Sequence, residues 1–242
     1  MSQQNMTIDQ PTPNYKLEIP DHLQHLLLAG FASGVIGVVM WMVLSEAQRL
    51  IAVIFLVVGV TAGLVGILLW MVTNQGARLN ARRKMMDTAA WRGDEQVLDV
   101  GCGNGFLMLE AAKHLTTGKA IGIDLWQETS GGQKDQTAWR NAQLEGVSDK
   151  VDVQNVDARR MPFEAGTFDV VMSSLALHHM GSNADRERAL QEMVRVLKPD
   201  GVILLYDMLP MINQSQAVMR QKGFKHIHNM GGVAMKVIAA RR

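Results

Sequence analysis

Three glycines within five residues, Gly101, Gly103 and Gly105 of GCGNG, follow directly on the short apolar run QVLDV at 96–100. Lacking Cβ atoms, they let the backbone turn sharply and come close to a ligand. Such turns also arise in loops that hold no cofactor. The spacing G-x-G-x-G, rather than G-x-G-x-x-G, disfavours a dinucleotide site with its pyrophosphate on a helix N-terminus. Asp99, two residues before Gly101, puts a carboxylate beside the turn, where it either faces a cationic ligand group or braces the loop. Asp124, nineteen residues after Gly105, closes the apolar run AIGID. An acid there can accept hydrogen bonds from both hydroxyls of a ribose, or it can cap a turn. Asp157, in NVDARRMPF, can accept from the amino group of an adenine, with Ala158 offering its backbone. The chemistry these residues suggest together is recognition of a nucleoside-bearing ligand.

Such residues must be carried by strands that end near one another. The pattern from about residue 75 alternates accordingly. It predicts strands at 96–100, 120–124, 150–156, 168–174, 202–208, 224–228 and 233–240, with helices at 76–90, 106–114, 134–147, 186–197 and 214–222. Alternation of this kind gives an α/β fold, a doubly wound, mostly parallel seven-stranded Rossmann-like sheet with helices on both faces. Ligands of such sheets sit beyond the carboxyl ends of the strands, at the switch point of strand order.

Hydrophobic residues make up 48% of the chain and charged residues 19%, with a formal net charge of +1. There is no basic stripe with interleaved aromatics, so nucleic acid is not an expected partner. The single cysteine, Cys102, excludes a disulfide framework and a multi-cysteine metal site, no metal is expected, and the domain reads as intracellular. The apolar excess lies in two uncharged runs, 26–44 and 50–72, separated by SEAQR. Each reaches the ~20 residues that cross a bilayer as a helix, which predicts a two-helix transmembrane hairpin. Gly30 and Gly34, and again Gly59 and Gly63, form G-x-x-x-G spacings that suit close helix pairing or merely reflect the frequency of glycine in membrane helices. A buried helical hairpin in a soluble fold is the alternative. Arg78, Arg82, Arg83, Lys84 and Arg92 follow the second run and place the domain on the cytoplasmic side of the membrane. The expected organisation is a polar tail at 1–22, the hairpin at 23–74 and the α/β domain at 75–242.

In order and spacing, VLDVGCGNG, GIDLW, VDARRMPFEAGTFDVVMSSLALHHM and EMVRVLKPDGVILLYD resemble the class I S-adenosylmethionine-dependent methyltransferases, in particular the ubiquinone/menaquinone-biosynthesis type. The resemblance covers about 77–240. It implies S-adenosyl-L-methionine as cofactor, with Asp99, Gly101, Gly103 and Gly105 around its methionine part. It implies Asp124 at the ribose, Leu125 and Trp126 along the adenine, Asp157 and Ala158 at the adenine edge, and Ser173 toward the methionine end and the substrate mouth. Phe168, Asp169 and the turn KPDG at 198–201 are structural in this pattern. QETSGGQ at 127–133 lengthens the connection after the second strand and is either a closing loop or a longer surface loop.

Methyl transfer requires alignment more than a protein nucleophile. A base is needed only where the acceptor carries a proton, and His178 and His179 are the candidates, with Asp207 a weaker one. Cys102 reads as a packing residue, and Met172, Met180, Met208 and Met211 either line an adaptable pocket or fill the core. The expected acceptor is a small, lipophilic molecule such as a quinone precursor, isoprenoid, lipid head group or hydrophobic thiol. Two other functions compete: a membrane-tethered cofactor-binding protein without turnover, and a nucleotide-dependent oxidoreductase. Oligomeric state is open.

Overall fold

The computed structural model describes residue 13 and residues 21–46, 49–73, 75–126, 134–230 and 235–241. Most of the polar tail and the whole of 127–133 lie outside the described residues. The chain divides into two compact units, Lys16–Leu79 and Asn80–Arg242 together with Met1–Tyr15.

The first unit is a pair of helices, α1 (Asp21–Val43) and α2 (Arg49–Thr73). Small residues form the seam between them. A Cβ added to Gly30 would lie 2.7 Å from Cβ of Ala62, and one added to Gly59 would lie 2.6 Å from the backbone nitrogen of Gly34. Gly37 abuts the backbone of Leu56 in the same way, at 2.8 Å. Gly34 and Gly63 would themselves have room for a Cβ, so only one glycine of each G-x-x-x-G pair is sterically required. The hydroxyl of Ser33 donates across the seam to the carbonyl of Phe55 at 3.2 Å. The large apolar side chains point away from it. Phe31, Met42, Val43, Leu50 and Val57 are all exposed, while Ala52 is wholly buried. Among the described residues one helical stretch, Arg49–Gly66, is long and apolar enough to cross a membrane, and the apolar stretch of α1, Leu28–Val43, is shorter.

The second unit begins within α3 (Gln75–Thr88). It continues through β1 (Gln96–Val100), α4 (Phe106–Lys113), β2 (Lys119–Asp124), α5 (Lys134–Leu144), β3 (Val151–Asn155) and β4 (Phe168–Ser174). Then come α6 (Asn183–Val196), β5 (Leu197–Met208), α7 (Leu209–Gln221), β6 (His226–Met230) and β7 (Met235–Arg241). The seven strands lie in the order β3-β2-β1-β4-β5-β7-β6. Five run parallel from β3 to β5, and β7 and β6 close the sheet with antiparallel pairs. The order reverses between β1 and β4, so the switch point opens beyond Val100 and Ser174.

Strand residues alternate between two cores, as the period of two requires. Val97, Val170, Met172 and Leu204 join Met85, Met86, Leu107 and Leu109 on the face covered by α3 and α4. Leu98, Val171, Ile203 and Leu205 join Leu190, Met193, Ile212 and Met219 on the face covered by α6 and α7. Every expected strand is present, with two shifts in bounds worth a physical reason. β5 already starts at Leu197, opposite Phe168, and KPDG bulges out unpaired before continuous pairing resumes with Val202 opposite Val170. Gly201 is needed there, since a Cβ would lie 2.8 Å from the carbonyl oxygen of Asp169. α7 starts at Leu209, earlier than expected, because Pro210 occupies its first turn, where a missing N–H costs nothing.

Candidate active site at the switch point

The glycine loop is set by three backbone conformations and one carboxylate. Gly101, Gly103 and Gly105 have φ of +76°, +54° and +85°. Gly101 could carry no side chain on steric grounds as well: its Cβ would fall 2.2 Å from that of Ala176. The N–H groups of Gly101 and Cys102 both donate to the carbonyl of Ile123, at 2.8 and 3.1 Å, which ties the loop to the end of β2. From there Asp124 reaches back. One of its oxygens accepts from the Gly103 N–H at 2.7 Å and the other from the Leu125 N–H at 2.8 Å. A Cβ on Gly103 would meet only that Asp124 carboxylate, at 4.0 Å, so the loop presents bare backbone to open space beside the acid.

Asp99 lies beneath the loop, 2% exposed. Oδ2 accepts from the Met108 N–H at 3.0 Å, and Oδ1 is buried without a partner. Burial, helped by the nearby charge of Asp124, pushes its pKa up to about 7. An acid so shifted is partly protonated near neutral pH, and a cation beside it favours its charged form. Cys102 is buried, and burial pushes its thiol pKa up, which makes it a packing residue against Gly122. These features fit S-adenosylmethionine: an unsatisfied buried carboxylate for a cationic group, a backbone cradle without side chains, and an acid at the neighbouring strand end for a ribose.

β3 runs beside β2, with Asn155 in register with Asp124, and so brings Asp157 to the same edge. The carboxylate of Asp157 is already engaged. Arg159 contacts it through Nε at 3.0 Å and through its terminal nitrogen at 2.7 Å, and holds its pKa below the usual carboxylate range. Arg159 also reaches Asp185 at 3.2 Å. Ala158 is buried and Leu125 is 45% exposed. The indole N–H of Trp126 is buried with no partner among the described residues. Ser173 is buried on the α6–α7 side, and its hydroxyl donates to the carbonyl of Val100 at 2.8 Å. It thereby steadies the residue before Gly101.

The two histidines occupy a single 3-10 turn, Leu177–His179, just past β4. His178 Nδ1 lies 2.9 Å from an oxygen of Asp207 at the end of β5, and Asp207 is 1% exposed. That oxygen also accepts from the Met208 N–H at 2.7 Å, while the second oxygen is buried and unpartnered. His179 is exposed and lies against the His178 ring, with centroids 4.0 Å apart. The turn is reached through Leu175, whose φ of +56° is unusual for a residue with a branched side chain. Its N–H donates to the carbonyl of Tyr206 at 2.8 Å, so the strain is held by the strand that carries Asp207. Met172 is buried in the core, whereas Met208, 38% exposed, lies at the end of β5. The pairing of His178 with Asp207, the left-handed Leu175 and the clamp of Arg159 on Asp157 were not legible in the sequence. They join residues on different strands, or depend on a backbone torsion that no residue type announces.

Residues 98–205 match a family described as a methyltransferase domain. The methyltransferase YcgJ of Bacillus subtilis is 34% identical over 123 residues, covering 51% of this chain and 44% of that protein. Its crystal structure matches with a TM-score of 0.52 at 25% identity, covering 62% of this chain and 72% of that one. The 27-O-demethylrifamycin SV methyltransferase of Amycolatopsis mediterranei is 32% identical over 121 residues, 49% of this chain and 40% of that protein. A mitochondrial protein of Mus musculus named as an arginine-hydroxylase is 37% identical over 110 residues, 44% of this chain and 27% of that protein. The chain thus spans less than half the length of these curated relatives. In its glycine loop, its Asp99 and Asp124 and its strand order, the α/β domain is similar to the S-adenosylmethionine-dependent methyltransferases over the matched residues.

Proposed function

We propose that the chain is a membrane-anchored methyltransferase that methylates a small lipophilic acceptor, with His178 taking the proton of the accepting atom. When bound, S-adenosylmethionine supplies a methyl group made electrophilic by its sulfonium. The chain's own contribution is placement. The glycine loop and Asp99 hold the methionine end, Asp124 the ribose, and Leu125 and Ala158 flank the adenine. Arg159 contacts both oxygens of Asp157, so accepting from the adenine edge requires it to give up part of that contact. Alignment of this kind can lower a barrier by several kcal/mol, about 7–11 in the best-oriented intramolecular reactions.

The observation that carries the activity is the contact of His178 with a buried Asp207 at the same sheet edge as the glycine loop. Nδ1–H donates to the carboxylate, which leaves Nε2 as the basic nitrogen and stabilises the imidazolium formed after proton uptake. A proton-bearing acceptor atom, such as the hydroxyl of a quinone precursor, fits that arrangement. Purified full-length chain, incubated with methyl-labelled S-adenosylmethionine and the lipid extract of its host, should transfer label to an extractable product. His178→Ala should lower the rate by about 10²–10⁴-fold, the range of general-base catalysis, with S-adenosylhomocysteine affinity unchanged. Equal rates in both proteins would remove His178 from the mechanism.

The membrane reading is supported by the inverted hairpin. Its small residues face inward and its large apolar ones outward, the reverse of a water-soluble helix pair. Soluble monomers rarely expose contiguous apolar patches above a few hundred Å², about 300–600 at most. The basic residues Arg82, Arg83, Lys84 and Arg92 after α2 favour a cytoplasmic domain.

A further inference from the structure

β5 and β7 pair antiparallel with Asp207 directly opposite Lys236. Residues so opposed put their side chains on one face, with Cβ atoms about 4.5–5.5 Å apart. The neighbours fix which face. Leu205 and Ile238 belong to the core under α6 and α7, whereas Tyr206 and Val237 belong to the core under α3 and α4. By alternation Asp207 and Lys236 both stand on the α6–α7 face, at the end of β5 where His178 meets Asp207.

Lys236 is partly buried and makes no hydrogen bond or ion pair among the described residues. Asp207 bonds to His178 and to the Met208 N–H instead, and its second oxygen stays unpartnered. The other partly buried cations of the domain are engaged. Lys198 holds Asp169 at 2.8 Å, Arg195 holds Glu192 at 2.6 Å, and Lys150 donates to the carbonyl of Leu115 at 2.7 Å. A partly buried lysine opposite Asp207 that makes no ion pair with any anion among the described residues is placed to meet an anion of a ligand.

We propose that Lys236 binds an anionic group, carboxylate or phosphate, on the methyl acceptor, which is therefore an amphiphilic acid and not a neutral lipid. This rests on the reading of the His178–Asp207 edge as the acceptor side of a methyltransferase site. An acceptor of this kind carries its methylatable group and its anion on one small molecule.

The test is calorimetry on the full chain in detergent, loaded with S-adenosylhomocysteine, using hexyl phosphate, hexanoate and hexanol as probes. The wild type should bind at least one anionic probe tenfold or more tightly than hexanol, and whichever anion wins identifies the group. Lys236→Gln should abolish that preference without changing hexanol or S-adenosylhomocysteine affinity, and Lys236→Arg should retain it. Anionic probes that bind no better than hexanol, or not at all, overturn the assignment, as does a preference that survives in Lys236→Gln. A wild type that fails to bind S-adenosylhomocysteine removes the methyltransferase reading itself, and this inference with it.

Discussion

At the residue scale the most informative side chain is Asp99. Its pKa is raised from 3.8 to about 7 by burial, so the folded chain binds a proton there that the unfolded chain releases. Between those two values stability must fall as pH rises, because the unfolded state binds fewer protons. The contribution is fully present below about pH 4 and is lost as pH climbs through 7, by an amount on the order of a few kcal/mol. Asp99→Asn keeps an acceptor for the Met108 N–H and removes the titration. In the ligand-free protein it should raise the thermal midpoint relative to wild type at pH 8, with little difference at pH 4.5. A constant difference across pH would show that Asp99 stays ionised. A cationic ligand offsets the effect of burial, so S-adenosylmethionine should bind wild-type protein more tightly as pH rises through 7, and Asp99→Asn should lose that dependence when titrated by calorimetry.

At the element scale the hairpin makes a geometric prediction. Cysteines replacing Gly30 and Ala62 would face each other across the α1–α2 seam, where the Cβ positions are 2.7 Å apart before relaxation. A disulfide needs about 3.5–4.5 Å, within a small outward shift of two helices. The double variant should cross-link within one chain under mild oxidation, since the native Cys102 is buried. Adding Gly59→Leu, whose side chain would strike the Gly34 backbone, should suppress the cross-link. Persistent cross-linking in that triple variant would contradict the seam. The strands illustrate what periodicity can and cannot announce. QVLDV, AIGID and FDVVMSS are short apolar runs bounded by turn residues, and all three are strands with nearly the expected bounds. The start of α7 was displaced by a proline that reads equally well as a turn signal, and β5 includes KPDG as an unpaired stretch between the pairs Phe168–Leu197 and Val170–Val202.

At the scale of the whole molecule, an apolar two-helix unit and an α/β domain share one chain, and the proposed anchor is testable. Full-length protein should remain with membranes after washing at pH 11 and come off only in detergent. Release by alkaline wash alone would contradict the anchor. The proximity of the three candidate acids was legible because the parallel order brings the ends of β1, β2 and β3 together, and Asp99, Asp124 and Asp157 fall at or just beyond those ends. Their electrostatic states were not, because Asp99 depends on burial and Asp157 on the rotamer of Arg159. Likewise His178 stood out by type, but its orientation depends on a carboxylate twenty-nine residues away across two strands. The family's fold supports more than one chemistry, so the claim to test first is the cofactor itself.

That test is a calorimetric titration of S-adenosylhomocysteine into detergent-purified full-length protein, beside Asp124→Ala. The substitution removes both the carboxylate proposed to meet the ribose and the partner of the Gly103 N–H. The account predicts saturable binding to the wild type and a loss of at least tenfold in the variant, with both proteins folded. Folded wild type that binds no S-adenosylhomocysteine, or a variant that binds it equally well, would contradict the assignment of this sheet edge as the cofactor site.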